Sequence, residues 1–426
     1  MTTTERIEKV VVLGQGHVGL PLAVAAAENG YDVVGFDADP ERVRTLVGGV
    51  SPIPDVTSQR LAALLATHRY RPSDTAADLS GFDIAVITVP TPLNADRQPD
   101  LGAVRTAATE VGRRARPGCL VILESTSYPG TTEEVVAPIL RAESGLEPGV
   151  DFALGFSPER IDPGNARWTM ETTPKVVSGI DDASLSRVRE FYGAFLDRVV
   201  TAPEPKVAEL AKVFENTFRQ VNIALVNELA MHADLLGIDL WQALEVADTK
   251  PFGFMKFLPG PGVGGHCLPI DPLYLSWKVA RDTEQRFRMV ELADRINAEM
   301  PAYVVRRIEK GLRRRAIAAV GARVFAIGLA YKPNVSDLRC SPALEICRQL
   351  VAAGADVHYA DALIAEKPEL AGLVRSEVTA GDVRAADVVV ILTDHDYVDY
   401  DLIVENATYV FDCRRRLPGR PHVELL

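Results

Sequence analysis

The sequence contains few cysteines and no long apolar stretch. Its five cysteines are an odd number and lack the paired spacing of metal-binding motifs: Cys119, Cys267, Cys340, Cys347 and Cys413. They indicate reduced thiols in a cytoplasmic protein and predict no metal site. No run reaches about 18 uncharged apolar residues, and residues 1–9 lack an apolar signal segment. These absences exclude disulfide-stapled miniature folds and membrane-spanning proteins.

Positive charge is scarce as well. The chain has 46 lysines and arginines against 58 aspartates and glutamates, for a net charge of −12. Such a surface repels phosphate backbones, and the arginine runs at 313–315 and 414–416 are too short to reverse this. We therefore expect no nucleic-acid partner. With 47% hydrophobic and 24% charged residues, the composition is that of a globular protein, and 426 residues suggest about three domains.

Short apolar runs alternate with helical stretches in the first half of the chain. The runs predict buried strands at residues 10–13, 33–36, 84–87 and 120–123. Alanine-rich segments at 20–29 and 104–116 predict helices between them. Strand-helix alternation of this kind favours a doubly wound parallel sheet.

The middle of the chain has a different character. After a proline-rich joint at 201–205, residues 206–236 contain no glycine or proline and predict one helix about 45 Å long. Further helices are expected at 273–281 and 288–311. The glycine- and proline-rich segment 259–272 predicts a loop between helices.

The strand-helix pattern then returns. Strands are predicted at 323–328, 356–359 and 388–392, with a helix at 341–353. The fold class that follows is α/β, with two Rossmann-type doubly wound domains joined by a central helical domain that contains one long helix. The predicted boundaries are 1–200, 201–312 and 313–426.

A glycine-rich loop follows the first predicted strand. It reads Gly14-Gln15-Gly16-His17-Val18-Gly19. The three glycines permit a tight turn, a close approach of pyrophosphate to the backbone, and helix packing on the strand, which predicts a dinucleotide site. Asp37, 23 positions after Gly14, is placed to accept the ribose hydroxyls and to favour NAD over NADP. Arg42 is expected near the adenine. The alternatives are a glycine-rich turn without a nucleotide, and a solvated Arg42.

Cys267 lies within the glycine- and proline-rich loop, where the backbone approaches a ligand closely. A thiolate beside a nicotinamide predicts covalent catalysis on a carbonyl, through a thiohemiacetal and a thioester. Asp271, four residues later, is placed to orient a water or a base. The alternative is an inert thiol.

Three polar residues share one face of the long predicted helix: Lys212, Asn216 and Arg219. A lysine there can hold a developing alkoxide, and an asparagine can donate to an oxyanion. The alternative is a solvated stripe balanced by Glu209 and Glu215.

Six ordered motifs resemble those of the UDP-glucose/GDP-mannose dehydrogenase family. They are the segments GxGxxGLP at 14–21, VPTP at 89–92, EST at 124–126, SPER at 157–160, GGHCLPxDP at 264–272 and GLAYKP at 328–333. The resemblance spans almost the whole chain. It implies a nucleotide-sugar 6-dehydrogenase that oxidises a C6 hydroxyl to a carboxylate with two NAD, with NAD bound by the first domain and the UDP-sugar by the third.

The resemblance also assigns roles to residues. It implies that Cys267 is the nucleophile, that Lys212 and Asn216 stabilise oxyanions, and that Glu159 is the acid/base carboxylate. Asp271 and Thr126 resemble groups near the hydrolytic water, Thr126 also near the nicotinamide. The other implied cofactor contacts are His17, Val18 and Thr91. The other implied substrate contacts are Arg160, Ile161, Arg219, Phe257, Gly262, Gly264, Tyr331, Lys332, Arg339 and Arg414.

The sequence departs from the UDP-glucose enzymes in the presumed sugar pocket. Where they carry a second glutamate, four residues after the first, this chain has Pro163. Cys340 and Cys413 also replace residues expected in the family. The segments 159–165 and 249–255 resemble the subgroup that acts on acetamido sugars, so UDP-N-acetylglucosamine is the expected substrate. UDP-glucose and dTDP-glucose are the alternatives.

Two other classes of protein are alternatives to a nucleotide-sugar dehydrogenase. A nucleotide-sugar-binding protein without turnover has no use for a thiol, and a hydroxyacid dehydrogenase requires a histidine-carboxylate pair instead. The long apolar helix predicts a homodimer or a multiple of one. The resemblance to the family implies the same assembly, with the loop around 250–257 completing the sugar site of the neighbouring copy.

Overall fold

The computed structural model describes residues 7–161 and 167–426. The backbone packs as two compact units, one formed by residues 1–215 with 273–285 and the other by residues 216–272 with 286–426. The division into three domains at 200 and 312 stays a prediction. The two parallel-sheet regions and the central helical region of the expected α/β fold are confirmed.

The first unit contains an eight-stranded sheet in the order β3-β2-β1-β4-β5-β6-β7-β8. Strands β1 to β6 are parallel, β7 runs antiparallel to β6, and β8 is parallel to β7. The strands are β1 Lys9–Leu13, β2 Asp32–Phe36, β3 Tyr70–Ser73, β4 Ile84–Ile87, β5 Leu120–Leu123, β6 Ala153–Phe156, β7 Lys175–Gly179 and β8 Val199–Thr201. The antiparallel turn at β7 was not predicted. It places the start of β7 beside the end of β6.

Helices lie between most of these strands and bury them. They are α1 Gly19–Glu28, α2 Pro40–Val47, α3 Ser58–Ala66, α4 Gly102–Gly112, α5 Ala137–Ser144 and α6 Asp182–Gly193. The side chains of β1 from Val10 to Leu13 are at most 1% exposed. Such burial on both faces explains why these strands read as continuous apolar runs.

Four helices, two of them long, form the central region. They are α7 Pro205–Leu236, α8 Leu240–Asp248, α9 Asp271–Thr283 and α10 Arg288–Arg314. Helix α7 begins at Pro205, where a missing backbone N–H costs no helical hydrogen bond, and its 32 residues confirm the predicted long helix. Within the described ranges, no helix is long and apolar enough to cross a bilayer.

The second unit contains a six-stranded, all-parallel sheet in the order β11-β10-β9-β12-β13-β14. The strands are β9 Arg323–Ile327, β10 Asp356–Ala360, β11 Val374–Arg375, β12 Val388–Ile391, β13 Val410–Asp412 and β14 Val423–Leu425. The helices are α11 Pro342–Ala352, α12 Ala380–Ala385 and α13 Tyr400–Asn406. Helix α10 packs on this sheet through a buried face that includes Val304, Ile308 and Leu312.

One glycine of α10 sits where no side chain fits. A Cβ added at Gly311 would lie 1.9 Å from the Tyr409 hydroxyl oxygen, and that hydroxyl donates to Glu424 at 3.0 Å. We expect Gly311→Ala to destabilise the second unit by about 1–3 kcal/mol, since the tyrosine must shift. Calorimetric unfolding measures this.

The matched control is Gly193→Ala at the end of α6, where an added Cβ meets nothing within 4 Å. This variant should be neutral or slightly stabilised. Equal thermal midpoints for the two variants would contradict the packing of α10 on β13.

Candidate functional site

The glycine loop between β1 and α1 has the geometry of a dinucleotide cradle. Gly14 has a φ of +99°, and a Cβ at Gly19 would lie 1.8 Å from the Gly14 carbonyl oxygen. An added Cβ at Gly16 would meet only the Arg42 guanidinium, at 3.5 Å. The turn and the helix packing therefore require glycine, and the backbone at Gly16 is open to a close ligand approach. His17 is exposed and Val18 half-buried at the start of α1.

Asp37 follows β2 and is fixed by the loop. Its Oδ2 accepts a hydrogen bond from the Gln15 N–H at 2.8 Å, and its Oδ1 accepts from Asp39 N–H at 3.0 Å. Arg42 donates to the Gln15 carbonyl at 3.3 Å, and its Nε lies 3.8 Å from Asp37. Arg42 therefore belongs to the loop rather than to a purely solvated surface. Its contact with adenine stays a prediction.

A buried pair supports this loop from behind. The Tyr70 hydroxyl donates to the Gln15 side-chain oxygen at 2.8 Å, and burial raises the pKa of Tyr70. Gln15 Nε2 donates to the carbonyls of Val12 and Gly14. Sequence reasoning missed Gln15 and Tyr70, because only the register of β2 with β3 brings Tyr70 beside the loop.

Thr91 and Thr126 are brought together where β4 and β5 end. The Thr91 hydroxyl donates to the Thr126 carbonyl at 2.7 Å. The Tyr274 hydroxyl donates to the Thr91 carbonyl, and it lies 3.0 Å from the carbonyl of Pro92. The carboxyl ends of parallel strands are where ligands bind in open α/β sheets, so both threonines lie on the expected edge.

Glu159 belongs to a buried cluster of charges in the same unit. Its Oε1 accepts hydrogen bonds from the N–H groups of Arg160 and Ile161, each at 2.6 Å, and its Oε2 lies 3.2 Å from Lys175 Nζ. Lys175 also pairs with Glu124, which is 1% exposed. Although burial opposes ionisation, Lys175, these N–H groups and Lys212 hold the pKa of Glu159 below its usual value.

Arg160 makes a structural set of contacts. Its Nε and Nη2 pair with Glu215 at 3.2 and 2.6 Å, and its Nη1 donates to the Pro174 carbonyl at 2.8 Å. The guanidinium thus ties the segment after β6 to α7. A contact of Arg160 with the substrate stays a prediction.

The thiol loop lies in the second unit. Cys267 is exposed, and its carbonyl accepts from the N–H groups of Ile270 and Asp271 at 3.1 and 2.9 Å. Asn216 Nδ2 donates to Asp271 Oδ2 at 2.6 Å, with both side chains buried. This hydrogen bond fixes the start of α9 on α7. The structure therefore brings three of the predicted site residues, Asn216, Cys267 and Asp271, into one local arrangement.

A cation stands near the thiol. The pKa of Arg339 is raised, mainly by its hydrogen bonds to Asp337 and in part by the Cys267 thiol. The Gly265 N–H donates to the Arg339 carbonyl at 2.9 Å. Burial and the Arg339 charge lower the pKa of His266, which is therefore neutral at pH 7. A positive charge beside a thiol favours the thiolate.

The glycines of this loop are required by a close backbone approach. A Cβ at Gly264 would lie 2.7 Å from Tyr331 Cβ and 2.8 Å from the Cys340 carbonyl oxygen. Gly262 has a φ of +137°, and its Cβ would lie 3.0 Å from Pro342. The loop and the segment 331–342 therefore pack directly on each other, which places Tyr331 and Arg339 beside the thiol loop.

The remaining predicted substrate residues have these surroundings in the second unit. Lys332 lies over the Tyr331 ring at 6.0 Å, and the Phe257 ring meets Phe218 edge-on at 5.8 Å. Arg414 Nε donates to the Leu392 carbonyl at 2.8 Å, and a Cβ at Gly260 would lie 2.9 Å from its Nη1. Their contacts with a ligand stay predictions.

The predicted polar face of α7 contains both buried and exposed side chains. Lys212 is 9% exposed and Asn216 is 5% exposed, whereas Arg219 is exposed. Glu209 is fully buried and accepts from the Thr132 N–H at 2.9 Å. The alternative of a solvated stripe therefore holds only for Arg219, and Glu209 binds the backbone instead of balancing charge at the surface.

Several expected features fall outside these sites. Pro163 and most of the segment 159–165 lie outside the described residues. In the described part of the chain, no group of three or more histidine, cysteine, aspartate or glutamate side chains is arranged to hold a metal ion. Sequence reasoning also missed Lys175, the buried partner of Glu159, which belongs to none of the six motifs.

Comparisons with known proteins match the chain in three segments. Models of the UDP-glucose/GDP-mannose dehydrogenase family match residues 8–196 (NAD binding domain), 206–299 (central domain) and 325–418 (UDP binding domain). A UDP-N-acetyl-D-glucosamine 6-dehydrogenase of Pseudomonas aeruginosa is 40% identical over 347 residues, 80% of either chain. Protein CapL of Staphylococcus aureus is 37% identical over 412 residues, 95% of either chain. The solved UDP-D-ManNAc dehydrogenase of Pyrococcus horikoshii has a TM-score of 0.88 and 32% identity, covering 98% of both chains.

The fixed carboxylate of Asp37 generates a test of cofactor choice. We expect Asp37→Ala to weaken NAD⁺ binding about 10- to 100-fold, because hydrogen bonds to a charged acceptor contribute roughly 1.5–3 kcal/mol. The ratio of NADP⁺ to NAD⁺ affinity should rise. Calorimetric titration measures both. Glu41→Gln, an exposed acid in the first turn of α2, is the control and should bind NAD⁺ normally. Unchanged NAD⁺ affinity in Asp37→Ala would show that the ribose lies elsewhere.

Proposed function

Because the chain belongs to the UDP-glucose/GDP-mannose dehydrogenase family, we propose that it oxidises the C6 hydroxyl of a UDP-N-acetylhexosamine, UDP-N-acetylglucosamine first, to a carboxylate. The protein is an NAD-dependent oxidoreductase that acts on a nucleotide sugar. The observation that carries the proposed chemistry is the exposed Cys267 thiol on a rigid loop, beside a buried Asn216–Asp271 hydrogen bond. A cytoplasmic location stays a prediction from the cysteine content.

The proposed chemistry assigns one task to each unit. NAD, when bound, accepts a hydride from the sugar C6 in each of two oxidations. In the second unit, Cys267 adds to the C6 aldehyde, and the resulting thiohemiacetal becomes a thioester after the second hydride leaves. Asn216 donates to the oxyanions and Asp271 orients the water that hydrolyses the thioester, while Lys212, which belongs to the first unit, is the second oxyanion donor. In the first unit, Glu159 exchanges the proton of the C6 hydroxyl.

The acetamido sugar is supported by the relatives rather than by the pocket. Pro163, the residue that suggested a less charged pocket, lies outside the described residues. The Pseudomonas relative is named for UDP-N-acetylglucosamine, and the Pyrococcus structure for the C2 epimer UDP-ManNAc. Both substrates carry an acetamido group on the sugar. We therefore retain UDP-N-acetylglucosamine as the first candidate, with UDP-ManNAc added to the assay as its epimer.

The substrate is tested by comparing kcat/KM over four nucleotide sugars. A pocket that binds the acetamide should prefer UDP-N-acetylglucosamine to UDP-glucose and dTDP-glucose by about 30- to 1000-fold, because a lost hydrogen bond and apolar contact together cost roughly 2–4 kcal/mol. Faster oxidation of UDP-ManNAc would move the assignment to the epimer. Equal or faster oxidation of either glucose nucleotide would contradict an acetamido substrate and leave the dehydrogenase activity standing.

The covalent route predicts two NADH for each sugar consumed. Cys267→Ala should form no acid, because no thiohemiacetal is available for the second oxidation. The control is Cys340→Ser, which removes another exposed thiol of the same unit and should keep the two-to-one ratio. Absorbance of NADH and mass spectrometry of the sugar product provide the readout. One NADH per product with free aldehyde, or full acid formation by Cys267→Ala, would overturn the covalent route. Binding of both ligands without any NADH would favour a non-catalytic sugar-binding protein.

We also propose that two copies assemble through α7 and the loop that follows α8. Leu225 and Leu229 on α7 are 63% and 47% exposed, and Met255 in the loop is 64% exposed. Together with Phe218 and Phe254 they line a groove of about 520 Å³. Large apolar side chains exposed side by side on a helix are typical of an interface. The occupant that we propose is the same face of a second copy, since a two-fold axis buries both faces at once.

Assembly is tested by sedimentation of Leu225→Glu. Two buried carboxylates, one from each copy, should weaken the dimer at least about 30-fold, because each costs roughly 1–3 kcal/mol. Val320→Glu is the control, since Val320 is 75% exposed in the segment before β9 and does not line this groove. An active wild-type monomer at micromolar concentration would contradict the proposal.

A further inference from the structure

The charge cluster around Lys175 contains two carboxyl groups, and the proposed reaction uses only that of Glu159. Lys175 Nζ bridges two carboxylates, Glu124 Oε1 and Glu159 Oε2. Glu124 and Lys175 are 1% and 4% exposed, and the Glu159 side chain is 13% exposed. Glu159 therefore forms the accessible end of the cluster, and Glu124 forms its closed end.

Glu124 is held by the ends of the strands. It directly follows β5, and its N–H donates to the Ile87 carbonyl at 2.9 Å, at the end of β4. Its second oxygen, Oε2, is buried, and within the described residues the neutral Tyr192 hydroxyl is the other hydrogen-bonding neighbour of this carboxyl besides Lys175. A buried carboxylate beside one shared cation and one neutral hydroxyl is incompletely compensated, whereas a protonated carboxyl carries less charge to satisfy.

The charges of the cluster balance only when one carboxyl keeps a proton. Two carboxylates and one ammonium sum to −1, in a place where burial penalises net charge. Burial and the neighbouring Glu159 raise the pKa of Glu124 to about 7, while the pKa of Lys175 is raised by its two carboxylates. Near neutral pH the cluster therefore contains one ammonium, one carboxylate and one carboxyl that is titrating.

We propose that Glu124 is a positioning residue that binds or releases a proton behind Glu159, so that the charge on Glu124, next to the shared Lys175 ammonium, sets how strong a base Glu159 is. No electron moves, and no bond to carbon changes. The inference rests on the proposed role of Glu159 in proton exchange at C6.

Within the described residues, the neighbours of the cluster include Tyr192, Lys212 and Ser157. Tyr192 of α6 is fully buried beside Glu124, and its ring lies 5.2 Å from Lys175 Nζ. Burial and Glu124 raise the pKa of Tyr192, so the phenol stays neutral. The positive charge of Lys212 on α7 also acts on Glu159 and lowers its pKa. Ser157, which follows β6, donates to the Val176 carbonyl at 2.8 Å.

The sign of the pH effect follows from these groups. Above about pH 7 Glu124 is ionised, and the added negative charge makes Glu159 a stronger base. Below this pH the proton bound to Glu124 removes that charge. The single-turnover rate of NADH formation should therefore rise through pH 7, by roughly tenfold if the pKa of Glu159 moves by one unit.

The test is the pH profile of Glu124→Gln, which keeps the shape of the protonated carboxyl and cannot ionise. Its rate should match the wild type within about twofold at pH 6, fall about tenfold below it at pH 8.5, and show no inflection near pH 7. Both KM values should change little. Glu124→Asp, which restores a carboxyl, should recover the inflection and serves also if the glutamine variant does not fold. Asp83→Asn is the matched control, because Asp83 pairs with Arg116 at the amino end of β4 and should leave the profile unchanged.

A second readout does not depend on turnover. The infrared band of a protonated carboxyl should titrate near pH 7 in the wild type without ligands and be absent in Glu124→Gln. A wild-type profile in the glutamine variant, an equal loss of rate at every pH, or an unchanged infrared titration would overturn the inference. If the wild type oxidises no nucleotide sugar, the proposed function fails, while the infrared titration still decides whether Glu124 binds the proton.

Discussion

The ion cluster at Lys175 is the interaction on which the first unit depends most. Glu124 directly follows β5, Glu159 lies three residues after β6, and Lys175 is the first residue of β7. Their side chains form one ion cluster. Removing one partner of a buried pair leaves an uncompensated charge and typically costs about 3–5 kcal/mol. The antiparallel entry of β7 makes the cluster possible, because it brings the first residue of β7 to the edge where β5 and β6 end. That edge also carries the glycine loop and Asp37.

The second unit holds the Cys267 thiol at an exposed position on an ordered loop. Glycines at 262 and 264 allow the loop to pack on the segment 331–342, and the Asn216–Asp271 hydrogen bond fixes its exit into α9. Asn227 adds a third support, since its side-chain oxygen accepts from the Gly260 N–H at 3.0 Å. A loop held at both ends keeps Cys267 exposed while its backbone is ordered, which is the arrangement a nucleophile needs.

The sequence was most informative where a pattern is local. The absence of glycine and proline over 206–236 predicted α7 within one residue, and the apolar runs predicted β4 and β5 at their observed bounds. Strands β3, β6, β7 and β8 were not predicted, because none of them is a continuous run of large apolar residues: β3 contains arginine and proline, β6 and β7 contain glycine, and β8 has only three residues. Lys175 was missed for a different reason: its partners lie 51 and 16 positions away in the sequence, and only the sheet order brings them together. Arg219 lies on the same face of α7 as Lys212, yet Arg219 is exposed and Lys212 is buried. Burial along one helix face depends on which neighbouring elements cover each turn.

In the proposed mechanism, Cys267 carries the sugar as a thioester between the second oxidation and hydrolysis. The most direct measurement is mass spectrometry of the Cys267 peptide after acid quenching of Asp271→Asn mixed with NAD⁺ and the nucleotide sugar. This variant keeps an oxygen that accepts from Asn216 and loses the carboxylate that orients water. We expect a burst of two NADH per protein chain and a sugar acyl adduct on Cys267. A burst without any adduct on this cysteine would contradict it.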